Sequence, residues 1–235
     1  MKKAIEIRNL TFAYPDGEKA LEDFSVDVFE GESLGIVGPN GAGKTTLLLH
    51  LNGVLNGGTG IRIFDVPLNK RNVREIRRRV GVVFQNPDDQ LFMPTVFDDI
   101  AFGPVNLGLP GDEVRKRVRE CLRSVGLDGY GNRHSHHLST GEKKRVALAT
   151  ALALNPEILV FDEPTANLDP ATKREFIDLL KSMDGKTLVV AGHDLELLKV
   201  VTQKVVVLNR GKKVAEGPTA EILQNEELLS GNRLI

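Results

Sequence analysis

The segment GPNGAGKTT, Gly38 to Thr46, fits the spacing G-x-x-x-x-G-K-[ST]. Gly41 and Gly43, with Pro39, Asn40 and Ala42 around them, let the backbone fold with its N–H groups facing inward as an anion cradle. Lys44 supplies a point charge for the outer phosphates, Thr45 can place its hydroxyl on Mg²⁺, and Thr46 follows where the loop becomes helix. A glycine-rich turn before an ordinary helix is the plainer reading. The strand-like SLGIV leading in and the helical TTLLLHL leading out argue against it and for nucleoside triphosphate binding.

Three further positions suit the same chemistry. ILVFDEP ends a buried apolar run on two acids. Asp162 is the expected outer ligand for Mg²⁺, and Glu163 is placed to orient or deprotonate an attacking water. TLVVAG ends on His193, whose imidazole could donate to a γ-phosphate oxygen as charge grows there. VGVVF leads to Gln85, whose amide oxygen can reach a metal-bound water. A solvated side chain is the plainer account of each acid, the histidine or the glutamine taken alone. Their shared place at the carboxyl ends of apolar runs, where open α/β sheets bind ligands, favours a common site.

A fourth stretch, LSTGEKKRVALA from 138 to 149, opens a helix at Ser139. A helix start presents unpaired N–H groups and the positive end of its dipole, which together form an anion site. Ser139 and Glu142 have the spacing of a capping box, so the Glu142 carboxylate is expected to fold back onto the Ser139 N–H.

These residues need a scaffold, and the hydrophobic pattern supplies one. AIEIRNLTFAY and FSVDVFE alternate as half-buried strands, YPDG between them reads as a turn, and GIRIFDV and VGVVFQ follow as further strands. KTTLLLHLNG is helical with Gly53 as its expected C-cap. From about 86 to 155 strand signals vanish, and TVFDDIAFG, GDEVRKRVRECLRSVG and TGEKKRVALATALALN read as helices. Alternation resumes with ILVF, TLVVAG and KVVVLN, separated by helical stretches at 171–183 and 194–202. The expected fold is α/β: a P-loop NTPase core with a mostly parallel sheet, an N-terminal antiparallel β-subdomain and an inserted helical lobe. One domain spans 1–235, with the core and β-subdomain over 1–85 and 156–235 and the helical subdomain over 86–155.

Composition excludes several classes. The 235 residues carry 31 basic and 32 acidic side chains, a formal charge of -1 that gives no footprint for nucleic acid or an anionic membrane. REIRRR, 74–79, therefore reads as a solvated face. The single cysteine, Cys121, falls on the apolar face shared by Val114, Val118, Leu122 and Val125 and reads as core packing. No run of about 18 apolar residues occurs, and MKKAIEIRNLTF alternates where a signal peptide needs an unbroken apolar stretch. HSHH, 134–137, has no carboxylate or cysteine at ligand spacing nearby and reads as a solvated loop.

With GPNGAGKTT, Gln85, LSTGE, ILVFDEP, NLD and His193 in this order over nearly its whole length, the chain resembles the ATP-binding cassette (ABC) ATPases. The resemblance implies ATP and Mg²⁺ as ligands and a second ABC ATPase subunit, identical or related, whose signature segment caps the nucleotide in trans. Ser139, Gly141 and Glu142 would then face a partner's ATP, Asp169 of NLD would lie at the dimer seam, and Tyr14 would stack on adenine. The family's usual signature is Leu-Ser-Gly-Gly-Gln, so Thr140 and Glu142 are departures.

NPDDQLFMPTVFDDIAFGPVNLGLP, following Gln85, is similar to the ATPases of energy-coupling factor importers, especially the cobalt and nickel type. That likeness implies a transmembrane coupling subunit bound near Leu91, Phe92 and Met93, a peripheral place on the cytoplasmic face of the membrane, and no nucleic-acid partner. The competing expectations are an ABC ATPase of DNA repair or the ribosome, and a P-loop kinase or GTPase. The first usually carries long coiled-coil insertions or two cassettes; the second leaves LSTGE and NLD unexplained.

Overall fold

The computed structural model describes residues 2–55, 60–183 and 185–235. Its first layer is an antiparallel sheet. β1 (Lys3–Ala13) pairs with β2 (Lys19–Phe29). Between β2 and the rest of this sheet the chain runs through β3 (Ser33–Val37) and α1 (Lys44–Leu51), then returns as β4 (Ile61–Ile63) and β5 (Val66–Pro67). The order is β2-β1-β4-β5. The expected single strand GIRIFDV is a tight hairpin, because Phe64 and Asp65 turn it with φ of 45° and 66°, both left-handed as a type I′ turn requires. α1 is capped at Asn52, and Gly53 follows at φ 68°.

The second layer is the six-stranded sheet β10-β9-β3-β8-β7-β6. After α2 (Val73–Arg79) and β6 (Val80–Val83) come α3 (Val96–Asn106), α4 (Gly111–Ser124) and α5 (Thr140–Leu152), with no strand among them. β7 (Ile158–Asp162), α6 (Pro170–Lys181), β8 (Thr187–Gly192), α7 (Leu195–Val201) and β9 (Lys204–Asn209) restore the alternation. β6, β7, β8, β3 and β9 are parallel neighbours, and β10 (Lys212–Pro218) closes the edge antiparallel to β9. The short helices α8 (Thr219–Gln224) and α9 (Glu226–Gly231) follow.

The period of two in each strand divides the core between the two faces of this sheet. Leu159, Phe161, Leu188, Val190, Val205 and Val207 pack with α3 to α7, whereas Val160, Val189, Ala191, Val206 and Leu208 pack with α1, α2 and the antiparallel sheet. Each fully buried leucine, valine or phenylalanine contributes about 1.5–3 kcal/mol relative to exposure. The helices of 86–155 close over the first face. Val114, Val118, Cys121 and Leu122 of α4 and Val125 after it are all buried, and burial pushes the Cys121 thiol up to about 11, so it stays a protonated packing group.

Four elements have no counterpart among the expectations. β10, KKVAEGP, is exposed along most of its length, so it lacks the apolar alternation that marks a strand. α2 covers the arginine run expected as a solvated face: Ile76 is buried, while Arg77 donates to the Asn52 and Gly53 carbonyls and Arg79 pairs with Glu157. α8 and α9 are short and cap a mostly polar tail. Among the described residues no helix is long and apolar enough to cross a membrane.

Candidate active site

The parallel ladder sets four strand ends side by side. Val37 of β3 is level with Gly192 of β8, Asp162 of β7 with Ala191 of β8, and Val83 of β6 with Phe161 of β7. Gly38, His193, Asp162 with Glu163, and Gln85 therefore emerge at one edge. A cleft of about 480 Å³ opens there, lined by Tyr14, Glu18, Ala20, residues 40–46, Gln85, Asp162, Glu163 and His193.

The loop from Gly38 to Lys44 is shaped by its glycines. Gly43 caps α1 in the left-handed region at φ 103°, and a Cβ there would also meet the Ala20 carbonyl oxygen at 2.3 Å. Lys44, buried, donates from Nζ to the carbonyls of Gly38 at 2.8 Å and Pro39 at 3.2 Å and lies 3.7 Å from Glu163 Oε1. Thr45 Oγ1 donates to Asp162 Oδ2 at 2.6 Å. The other carboxylate oxygen, Asp162 Oδ1, is buried with no hydrogen-bond partner. Burial is the main reason the Asp162 carboxyl sits above its ordinary range, and the adjacent Glu163 charge adds to it against the Thr45 hydrogen bond.

Glu163 stands just past β7 with φ 45°, a left-handed backbone that non-glycine residues seldom adopt. Its N–H donates to the Ala191 carbonyl at 2.8 Å, and its carbonyl accepts from Ala166 N–H at 3.1 Å. His193 Nδ1 lies 2.8 Å from Glu163 Oε2, while most of the imidazole is exposed to the cleft. Tyr14 lines the cleft with its hydroxyl 3.0 Å from Thr46 Oγ1 and its ring edge-on to Phe12.

Ser139, Gly141 and Glu142 lie elsewhere on the chain and do not line this cleft. The capping box is formed: Ser139 N–H donates to Glu142 Oε2 at 2.8 Å, and Glu142 N–H donates to Ser139 Oγ at 3.3 Å. Tyr130 donates its hydroxyl to Glu142 Oε1 at 2.8 Å, with Arg133 stacked on the Tyr130 ring. The Ser139 N–H, and then Tyr130, hold the Glu142 carboxyl below its ordinary range. The first-turn N–H groups of Thr140 and Gly141 are left as donors at this helix start. Gly141 has a further steric reason, since a Cβ there would meet Thr172 Cγ2 of α6 at 2.4 Å. Asp169 caps α6, accepting from the N–H groups of Ala171 and Thr172.

Three residues missed by the sequence reading join this assembly. Asp99 is buried and accepts from the Phe92 and Met93 N–H groups and from Ser135. Tyr130 completes the Glu142 cap. Lys144, only 2 % exposed, donates to the carbonyls of Gln85 at 3.1 Å and Glu163 at 3.3 Å. Burial pushes the Lys144 ammonium down to about 8 against the pull of Glu163 and Asp162. A lysine sharing the buried face of α5 with Gly141, Ala147, Leu148 and Ala151 was the available signal.

Leu91, Phe92 and Met93 do not act together: Leu91 is core, Phe92 is 64 % exposed, and Met93 is intermediate. Phe92 packs edge-on with Phe102, which with Val105 makes an exposed apolar patch on α3. His134 bonds through Nδ1 to the Pro94 carbonyl and stands edge-on to His137, both on the surface.

A phosphate loop feeding a parallel sheet, with an antiparallel layer on one face and helices inserted over the other, defines the cassette class of P-loop ATPases. The chain belongs to the ABC transporter family, whose model matches residues 21–166. It is 52% identical over 230 residues to the energy-coupling factor transporter ATP-binding protein EcfA of Methanothermobacter thermautotrophicus, covering 96% of this chain and 74% of that one. The solved cbiO1 of Clostridium perfringens, part of the ABC transporter complex cbiONQ, superposes with a TM-score of 0.86 at 35% identity, covering 100% of this chain and 96% of that one. A dimeric ATP-binding cassette in a post-hydrolysis state, bound to ADP and Pi, superposes with a TM-score of 0.80 at 32% identity, covering 92% and 98%.

Proposed function

We propose that this chain is the ATP-hydrolysing motor subunit of an ABC-type membrane importer of the energy-coupling factor type, serving cobalt, nickel or another micronutrient. The alignment of four strand ends around one cleft carries the reading, supported by relatives of that type at about half identity over nearly the full chain. The α/β core with its β-subdomain, 1–85 and 156–235, binds nucleotide, and the helical part, 86–155, carries the signature.

Residues 38–46 hold the phosphates through backbone N–H groups and Lys44, and Tyr14 borders the base. Mg²⁺ fits the donor set of Thr45, Asp162 and Gln85, since Asp162 Oδ1 is a buried oxygen lacking a partner. When bound, the ion supplies positive charge against the β- and γ-phosphates. Glu163 orients the attacking water and accepts its proton. His193, already bonded to Glu163, turns its exposed ring toward the γ-phosphate and donates there. Gln85 positions the water from the neighbouring strand.

Ser139 and Gly141 do not line the cleft of their own chain, and they complete the site of a second subunit, identical or related. Glu142 supports that anion site from behind, with its charge turned to Ser139 N–H and Tyr130. ATP therefore closes two chains on each other, and hydrolysis reopens them. A transmembrane coupling subunit docks at the exposed patch of Phe92, Phe102 and Val105, and the chain works as a peripheral subunit on the cytoplasmic face of the membrane.

Glu163→Gln tests this. Hydrolysis is expected to fall about 100-fold or more while ATP is still bound, and the variant with ATP should elute at twice the mass of the nucleotide-free chain. Recovery from native membranes should bring a membrane subunit with it. Undiminished turnover, or ribosomal or DNA-repair proteins as the co-purifying set, would overturn the assignment.

A further inference from the structure

We infer that Lys144 is a positioning residue for hydrolysis: from the buried face of the signature helix it holds the main chain of both Gln85 and Glu163, so that the seat of α5 sets where those two side chains point. The inference rests on the roles proposed above for Gln85 and Glu163.

Burying an amine in an apolar core is costly, and a leucine or methionine would fill the same space without that cost. Lys144 is nonetheless 2 % exposed, with its Nζ between two carbonyls, Gln85 O at 3.1 Å and Glu163 O at 3.3 Å. Neither acceptor is ordinary. Glu163 is left-handed at φ 45°, a conformation that persists where its surroundings over-determine it. Lys144 supplies one of those constraints, beside Ala166 N–H on the same carbonyl and the Glu163 N–H bond to Ala191. Releasing that carbonyl lets the peptide rotate and moves the carboxylate.

Gln85 begins the loop that runs to Gln90, and α5 grips this loop along its length. Lys143 pairs with Asp88 at 2.7 Å, and Gln90 Nε2 donates to the Ala147 carbonyl at 2.8 Å and to Thr150 at 2.7 Å. Lys144 extends the grip to Glu163. It lies five residues into α5 from Ser139, about 7.5 Å along the axis at 1.5 Å per residue. A shift of the helix start therefore arrives at Glu163 and Gln85 through one rigid turn and a half. The helix that presents donors to a partner's nucleotide also sets the water-positioning groups of its own chain.

The test compares the full chain with Lys144→Met, which keeps the stem and removes the donors, and Lys144→Arg, which keeps donors. Lys144→Met is expected to lower kcat about tenfold or more while the KM for ATP and the binding of a fluorescent ATP analogue stay within about threefold, and Lys144→Arg should recover most of the loss. Three results would overturn the inference: parental kcat in Lys144→Met, loss of nucleotide affinity in parallel with kcat and melting temperature, or Lys144→Arg as slow as Lys144→Met with binding intact. Should the methionine variant not fold, Lys144→Gln replaces it; an intermediate kcat at parental KM supports the role and parental kcat overturns it. Glu163→Gln is run alongside. If it turns over ATP normally, the active-site assignment fails; if it is inactive and Lys144→Met is not slowed, the Lys144 inference alone fails.

Discussion

His50 is the least accommodated titratable side chain near the phosphate loop. It is 1 % exposed, its Nδ1 is 2.7 Å from the Thr46 carbonyl, its Nε2 has no partner, and its ring stands edge-on to Phe12 at 4.6 Å. Burial is the main reason its pKa lies below the ordinary 6.5. The unfolded chain therefore binds a proton at a pH where the folded chain does not. Stability from this site is complete above 6.5 and is lost as pH falls from there through the folded pKa. The slope contributed is at most about 1.4 kcal/mol per pH unit. Melting temperatures of the parent and of His50→Leu, measured from pH 7.5 to about 5, should show the parent falling relative to the variant toward acid pH; parallel curves would contradict a neutral buried imidazole.

At the scale of elements, the start of α5 is built by three neighbours. Glu142 closes the capping box, Tyr130 holds the far carboxylate oxygen, and the N-terminal turn of α6 sits against Gly141 through Thr172. Thr172 Cγ2 would lie 2.4 Å from a Cβ at 141, whereas its Cβ and Oγ1 would lie at 3.7 and 3.8 Å. Gly141→Ala should therefore destabilise the fold by about 1–3 kcal/mol through overpacking. Adding Thr172→Ser removes the clashing methyl and keeps the hydroxyl that bonds Asp169. The double variant is expected to regain most of the lost stability in urea melts; an additive loss would show that the two residues do not press on each other.

Across the whole molecule, the nucleotide cleft and the proposed coupling contact lie at separate places. The cleft lies at the strand ends, and the exposed patch of Phe92, Phe102 and Val105 lies on α3 and the loop that leads into it. Phe92→Asp combined with Phe102→Asp should leave ATP binding within about twofold, while recovery of the coupling subunit in pull-downs falls at least about tenfold, since central aromatic anchors dominate such interfaces. Undiminished recovery would place the coupling contact elsewhere. Between the two places runs α5, joined to the Gln85 loop through Lys144, Gln90 and Lys143.

What the sequence by itself determined are the features governed by local geometry. The phosphate loop, the acids ending β7, the Ser139–Glu142 box, the Thr95 cap that accepts from Asp98, and most strands and helices follow from short spacings and from periods of 2 and 3.6. The ABC family likeness was legible for the same reason, as its motifs are contiguous. Tertiary structure alone decided the strand order β3-β8-β7-β6, which sets Gly38, His193, Glu163 and Gln85 at one edge. It also made a strand of polar KKVAEGP by pairing it with β9, split Leu91 from Phe92, and gave the buried amine of Lys144 its carbonyls 59 and 19 residues away. Hydrogen bonds and burial between distant segments depend on which surfaces meet, and no local spacing encodes that.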